Sequence, residues 1–179
     1  MENLAKEEIE KRYENLDDKE KEHRAKIIGD AALRFFILKY DTKKDFTYDP
    51  AQSISFEGDT GPYVQYVYAR IQSIINKAEL KINSAIDFSL LTHNTEHELL
   101  FLLYRFPEVI DEAANSFKPH LICQYLINLS QQFNAFYDNC PVISSEPELK
   151  KARLLLIRCV QIIIKIGLNL LGIKVLKQM

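Results

Sequence analysis

Three side chains with stacking chemistry share one face of a predicted helix. Tyr63, Tyr66 and Arg70 are spaced by three and four residues, which places them side by side on a helix that begins at Pro62. Unpaired RNA bases stack on aromatic rings and on arginine planes, so this pattern is typical of a base-stacking surface. Aromatic residues at helical spacing also pack in cores, but burying Arg70 without a partner would cost free energy. We therefore favour the stacking surface.

Other candidates for chemistry are weak. His93 and His97 lie four residues apart, as paired zinc ligands do, but no third ligand follows and the order is not HExxH. Solvated histidines at a helix N-terminus are the simpler interpretation, so no metal site is expected. The three cysteines are far apart and form no CxxC pair, which is typical of reduced thiols in a cytoplasmic protein. No phosphate-binding glycine loop occurs, and no catalytic residue is predicted.

The charge of the chain is unevenly distributed. The formal net charge is −2, which argues against nucleic-acid binding by electrostatics alone. After Glu148, however, every charged residue is basic: Lys150, Lys151, Arg153, Arg158, Lys165, Lys174 and Lys177. This segment is either a solvated helix face, which charge runs usually are, or a surface for phosphates.

The elements that must position these residues are helices. The chain has 179 residues with only 5 Gly and 6 Pro, which favours long helices over turn-rich strands. No apolar stretch is long enough for a membrane span, so a cytoplasmic protein is expected. Apolar periodicity predicts helices at 62–83, 95–105, 107–116, 118–138 and 147–171, the second ending where Phe106-Pro107 breaks it. The fold class is therefore an all-α bundle.

The N-terminal region is predicted to form a charged helix and then a buried helix at Ile27–Tyr40. Residues 2–26 carry closely spaced acidic and basic side chains and a thin apolar stripe that includes Leu4, Ala5 and Ile9. We interpret them as a solvent-exposed helix that lacks its packing partner. A turn rich in Gly and Asp follows, and Thr60 is the expected N-cap of the next helix.

A series of short motifs resembles the C-terminal part of arginyl-tRNA synthetases. Each is weak by itself, but their number, order and spacing are those of the family: Ile28-Gly29-Asp30-Ala31-Ala32-Leu33-Arg34-Phe35-Phe36, Ser55-Phe56-Glu57-Gly58-Asp59-Thr60-Gly61-Pro62-Tyr63, Phe106-Pro107-Glu108-Val109-Ile110, Phe133-Asn134-Ala135-Phe136-Tyr137, Cys140-Pro141-Val142 and the final Met179. The resemblance implies that residues 1–58 are the helical tail of the catalytic domain. It implies that residues 59–179 are the helix-bundle anticodon-binding domain, named after a DALR motif, of this class I synthetase.

The resemblance also implies site residues and partners. The anticodon loop of tRNA(Arg) is the expected ligand, contacted by Tyr63, Tyr66, Arg70, Tyr137 and Met179, with Asn134 and Arg153 as further contacts. The remainder of the synthetase chain is the other expected partner, and a monomer is expected. The DALR position here reads Lys151-Ala152-Arg153-Leu154, so the aspartate is absent, and Pro141 falls near the place where some relatives have an aromatic contact.

The enzymatic part of such a synthetase is not expected in this chain. The HIGH-like and KMSKS-like motifs, which bind ATP, do not occur in the sequence. We expect no cofactor in this chain, ATP with Mg²⁺ in the parent enzyme, and no aminoacylation by this chain alone. Two alternatives remain open: a helical protein-interaction module that binds a partner helix in a groove, and a stand-alone tRNA-binding paralogue.

Overall fold

The computed structural model describes residues 1–12, 16–78 and 86–179, and these ranges fold into helices. Seven α-helices occur within them, in this order: α1 Glu2–Glu10, α2 Asp18–Leu38, α3 Pro50–Ser53, α4 Gly61–Ala78, α5 Asn94–Ser116, α6 His120–Asn139 and α7 Pro147–Leu170. A 3₁₀ turn, Phe88–Leu90, precedes α5. No strand occurs in these ranges, which confirms the predicted all-α class. Each of the described helices is too short or too polar to span a bilayer.

α4 is capped at its start as the sequence predicts, and α7 is followed by a glycine that suits a helix end. Thr60 caps α4, since its Oγ1 accepts a hydrogen bond from the backbone N–H of Tyr63 at 3.1 Å. Pro62 lies in the first turn, where a missing N–H costs nothing. Gly172 follows α7 with φ at +72°, a left-handed conformation in which glycine avoids the strain of a Cβ. The predicted last turn of α4, after Ala78, lies outside the described residues.

The predicted break at Pro107 is wrong, because α5 runs through it from Asn94 to Ser116. Proline removes one helical hydrogen bond, so tertiary packing must hold the turn together. α6 supplies that packing. The Tyr125 hydroxyl donates to the carbonyl of Leu102 at 2.8 Å, and the Tyr125 ring lies against Phe106 with their centroids 5.4 Å apart.

The interpretation of residues 2–26 as a helix without a packing partner is also wrong. α1 and α2 are separate helices, and they pack against each other. Ala5 and Ile9 of α1 are buried against Ala25 and Ile28 of α2. The apolar stripe of α1 is thin because α2 is the main element that it covers.

Two hydrophobic cores hold the helices in place. The larger core lies among α4, α5, α6 and α7 and also takes in Ala31 and Phe35 of α2. The smaller core joins α1 and α2 to Leu176 of the segment that follows α7. Because both cores cross residue 58, the division into 1–58 and 59–179 stays a prediction. This packing brings the end of the chain beside α4.

Candidate nucleic-acid interface

The face of α4 that carries Tyr66 and Arg70 lies beside one face of α6. Tyr66 and Tyr137 are each 36% exposed, whereas Tyr63 is only 9% exposed. Both of the exposed rings are therefore accessible to solvent, and Tyr66 is the one that no other aromatic or cationic side chain covers among the described residues. Tyr137 is fixed from below by Phe133, which is fully buried and stacked on it with a centroid separation of 6.2 Å.

Arg70 lies over the Tyr137 ring. The guanidinium carbon is 4.3 Å from the ring centroid, within the range of a cation–π interaction. No carboxylate among the described residues pairs with Arg70. The positive charge of the guanidinium is therefore not neutralised by an ion pair, and charge and planarity are the properties that a base or a phosphate would use.

Asn134 joins Arg70 to Tyr63 across the two helices. Its side-chain oxygen accepts a hydrogen bond from Arg70 Nη1 at 3.4 Å, and its amide nitrogen donates to the Tyr63 hydroxyl at 2.9 Å. Burial raises the pKa of Tyr63 above its ordinary value, partly opposed by the Asn134 hydrogen bond and by the positive charge of Arg70. The phenol consequently stays protonated at neutral pH. The side-chain amide of Asn134 therefore orients both Arg70 and Tyr63.

A cleft of about 620 Å³ opens beside these residues. Met179, Tyr63, Tyr66 and Asn134 line one side of it, and residues of α1, α2 and the 51–57 segment line the other. A smaller cleft of about 390 Å³ adjoins Arg70 and shares Tyr66 and Met179. The structure therefore brings together six of the seven predicted site residues: Tyr63, Tyr66, Arg70, Asn134, Tyr137 and Met179.

Arg153 is the predicted residue that the structure sets apart from this cluster. It is 9% exposed, and its Nε donates to a carboxylate oxygen of the fully buried Glu96 at 2.6 Å. Its Nη1 donates to the Pro141 carbonyl at 2.8 Å and to the Ser145 hydroxyl at 2.9 Å. The guanidinium is thus occupied in linking α5, α7 and the loop between α6 and α7.

Sequence reasoning missed Arg24 of α2. Arg24 lines both clefts, together with Tyr66 and Met179, and it forms an ion pair with Glu20 at 2.7 Å. In the sequence it is one of many charged residues in a charged helix, and no local pattern distinguishes it. Only the packing of α2 against α4 brings it to the cluster.

Both histidines form hydrogen bonds at the start of α5. Glu96 accepts a hydrogen bond from the His93 backbone N–H at 2.8 Å, while His93 Nδ1 accepts one from the Thr95 N–H at 3.2 Å. His97 Nε2 donates to the Leu91 carbonyl at 2.8 Å. In the part of the chain that the structure describes, no three side chains of the metal-ligating types gather around a point.

The fold and the site together define a helical bundle with an aromatic and cationic surface at the junction of two helices. A family model described as a DALR anticodon binding domain matches residues 64–179, about two thirds of the chain. The chain therefore belongs to the DALR anticodon-binding domain family.

Several relatives in sequence are arginine–tRNA ligases. The chain is 39% identical over 183 residues to that of Thermococcus kodakarensis, an alignment covering 98% of this chain and 28% of the relative. It is 40% identical over 185 residues to that of Clostridium botulinum, covering 100% of this chain and 33% of the relative. The chain thus spans about a third of the length of these relatives.

Solved structures agree with this relationship. The arginyl-tRNA synthetase of Thermus thermophilus superposes with a TM-score of 0.92 at 34% identity, over 99% of this chain and 31% of that one. The enzyme from Plasmodium falciparum superposes with a TM-score of 0.86 at 26% identity, over 99% and 32%. The predicted resemblance is confirmed by both sequence and fold.

Proposed function

We propose that this chain recognises the anticodon loop of tRNA(Arg) as part of an arginine–tRNA ligase. One observation carries the proposal: Tyr66, Arg70 and Tyr137 converge from two helices beside a cleft that Met179 also lines. Exposed rings and an arginine plane bind unpaired bases by stacking, which needs little net charge. A chain with a formal charge of −2 is compatible with this mode of binding.

Polar groups beside the rings supply the means of base discrimination. The Asn134 amide holds the Tyr63 hydroxyl as an acceptor, which leaves the Tyr63 O–H proton available for a ligand. A base stacked on Tyr66 would meet this hydroxyl and the Asn134 amide at the wall of the cleft. Buried polar groups reject a base that cannot pair with them, because an unpaired group costs free energy.

Catalysis belongs to the remainder of the synthetase in this proposal. Attachment of arginine to tRNA with ATP and Mg²⁺, in the cytoplasm, is the activity of the whole enzyme, and this chain contributes recognition. The chain alone is expected to give no arginine-dependent ATP–pyrophosphate exchange. Measurable exchange by the purified chain would contradict this division of labour.

The test is a Tyr66→Ala variant assayed for binding to a tRNA(Arg) transcript and to a transcript altered at the central anticodon base. Loss of one base–aromatic stack should weaken binding of the native transcript by about 1–3 kcal/mol and reduce the preference between the two. Tyr104→Ala is the matched control, since Tyr104 is 83% exposed on α5, away from the cluster. Equal effects of the two variants would refute the proposed site and favour a protein-interaction module.

A further inference from the structure

The charge of this protein is segregated between helices. α4 and the stretch 149–179 together hold nine of the 23 Lys and Arg residues and none of the 25 Asp and Glu residues. α4 packs against α7, so these two acid-free stretches are neighbours in the bundle. Basic side chains are therefore concentrated in one part of a protein whose formal net charge is −2.

Between α4 and α7 lies a groove of about 310 Å³, separate from the clefts described above. Arg158, Lys165 and Asn169 of α7 line it, and all three are exposed. They recur at intervals of seven and four residues, so they follow one face of the helix. The lining includes no carboxylate. Arg158 and Lys165 form no ion pair with any residue that the structure describes.

A buried glutamine orients Arg158 at the edge of this groove. Gln161 is 1% exposed, and its Nε2 donates to the Tyr68 carbonyl at 3.3 Å and to Gln72 Oε1 at 3.1 Å, both on α4. These bonds leave the Gln161 side-chain oxygen to accept from Arg158 Nη1. Such support reduces the entropy lost when the guanidinium binds an anion.

The segment after α7 connects this groove to the aromatic cluster. Lys174 and Lys177 of that segment are exposed, and the Lys174 carbonyl accepts a hydrogen bond from Gln65 of α4 at 2.6 Å. The segment ends at Met179, which lines the same cleft as Tyr66. The segment therefore places Lys174 and Lys177 between the groove and the stacking site, and Glu2 and Asp30 share a cleft with Lys174.

We propose that Arg158 and Lys165 bind the phosphate backbone of the RNA whose unpaired bases occupy the aromatic cluster. The inference rests on the proposed function and adds a second, sequence-independent contact to it. Phosphate contacts fix the position of an RNA without reading its sequence, whereas the aromatic cluster reads bases. The groove would account for the salt dependence of binding and the cluster for its base preference.

The test is a salt titration of tRNA(Arg) binding by the Arg158→Gln/Lys165→Gln double variant. Each lost phosphate contact should lower the slope of log K against log salt by about one. The double variant is therefore expected to lose about two from that slope and about tenfold or more in affinity at low salt. Lys43→Gln/Lys44→Gln is the control, because it removes the same charge from an exposed segment outside the acid-free stretches.

Four further outcomes separate this inference from the proposed function. Arg158→Lys, which keeps the charge, should keep most of the slope. A slope reduced equally by the control pair would overturn the inference, because net charge alone would then explain it. An unchanged slope in a variant that is folded by circular dichroism would also overturn it, even if Tyr66→Ala abolished the base preference. A reduced slope in the double variant, together with no base preference in the unsubstituted chain, would support the phosphate contact and refute anticodon recognition.

Discussion

Arg70 is a predicted anticodon contact and Arg153 a further one, and the structure gives the two arginines opposite surroundings. Arg70 lies on α4, half-exposed over the Tyr137 ring, with no carboxylate beside it among the described residues. Arg153 lies near the start of α7, buried on the carboxylate of Glu96. The difference teaches that the tertiary partners of an arginine, and not its position in a helical pattern, decide whether its guanidinium is engaged inside the protein.

The largest expected effect comes from breaking the buried pair. Glu96→Gln leaves the Arg153 charge buried without its counter-charge, so the free energy of unfolding should fall by about 3–5 kcal/mol. Urea unfolding followed by circular dichroism measures this loss. Glu148→Gln is the control, since the Lys151–Glu148 pair is largely exposed on the glutamate side and should contribute under about 1 kcal/mol. Similar losses in both variants would mean that burial does not distinguish the two pairs.

A second test concerns Tyr63, which is joined to Arg70 through the side chain of Asn134. Tyr63→Phe removes the acceptor of the Asn134 amide, so stability should fall by about 0.5–1.5 kcal/mol at neutral pH. The pH dependence has a definite sign. Because burial raises the pKa of Tyr63, its contribution is complete below the pKa of an unfolded tyrosine, near 10, and declines as pH rises through the higher folded value.

Thermal unfolding of Tyr63→Phe and the parent chain between pH 8 and 11 checks this prediction. The parent should lose stability more steeply above pH 10 than the variant does. Burial also raises the pKa of Tyr125, so the Tyr63→Phe variant should still lose some stability at alkaline pH. Parallel curves would show that Tyr63 ionises as freely in the folded protein as in the unfolded one.

The smallest expected effect comes from a substitution that keeps the charge of Arg70 but removes its planar group. Arg70→Lys keeps the charge but removes the planar group over Tyr137, so tRNA affinity should fall by about 0.5–1 kcal/mol with an unchanged salt slope. Binding titrations at three salt concentrations measure both quantities. If Arg70→Lys bound tRNA as tightly as the unsubstituted chain, Arg70 would act as a point charge, as a residue that binds phosphate does.

Helix existence was predictable here because local signals agreed with the fold. Thr60 and Pro62 begin α4, and Gly172 follows α7, at positions that their backbone chemistry favours. The error at Pro107 has a tertiary cause, since the packing of α6 against α5 preserves a helix that proline alone would interrupt. The packing partner of α1 was likewise invisible, because periodicity predicts an apolar face but not the helix that covers it.

The sequence by itself determined the all-α class, the shared face of Tyr63, Tyr66 and Arg70, and the basic character of the last segment. These properties follow from spacing along one helix and from composition, which are local. The tertiary structure decided which residues surround each site. Asn134 reaches Tyr63 across 71 positions of sequence and Arg153 reaches Glu96 across 57. Contacts at such separations depend on how whole helices pack, and no local pattern encodes them.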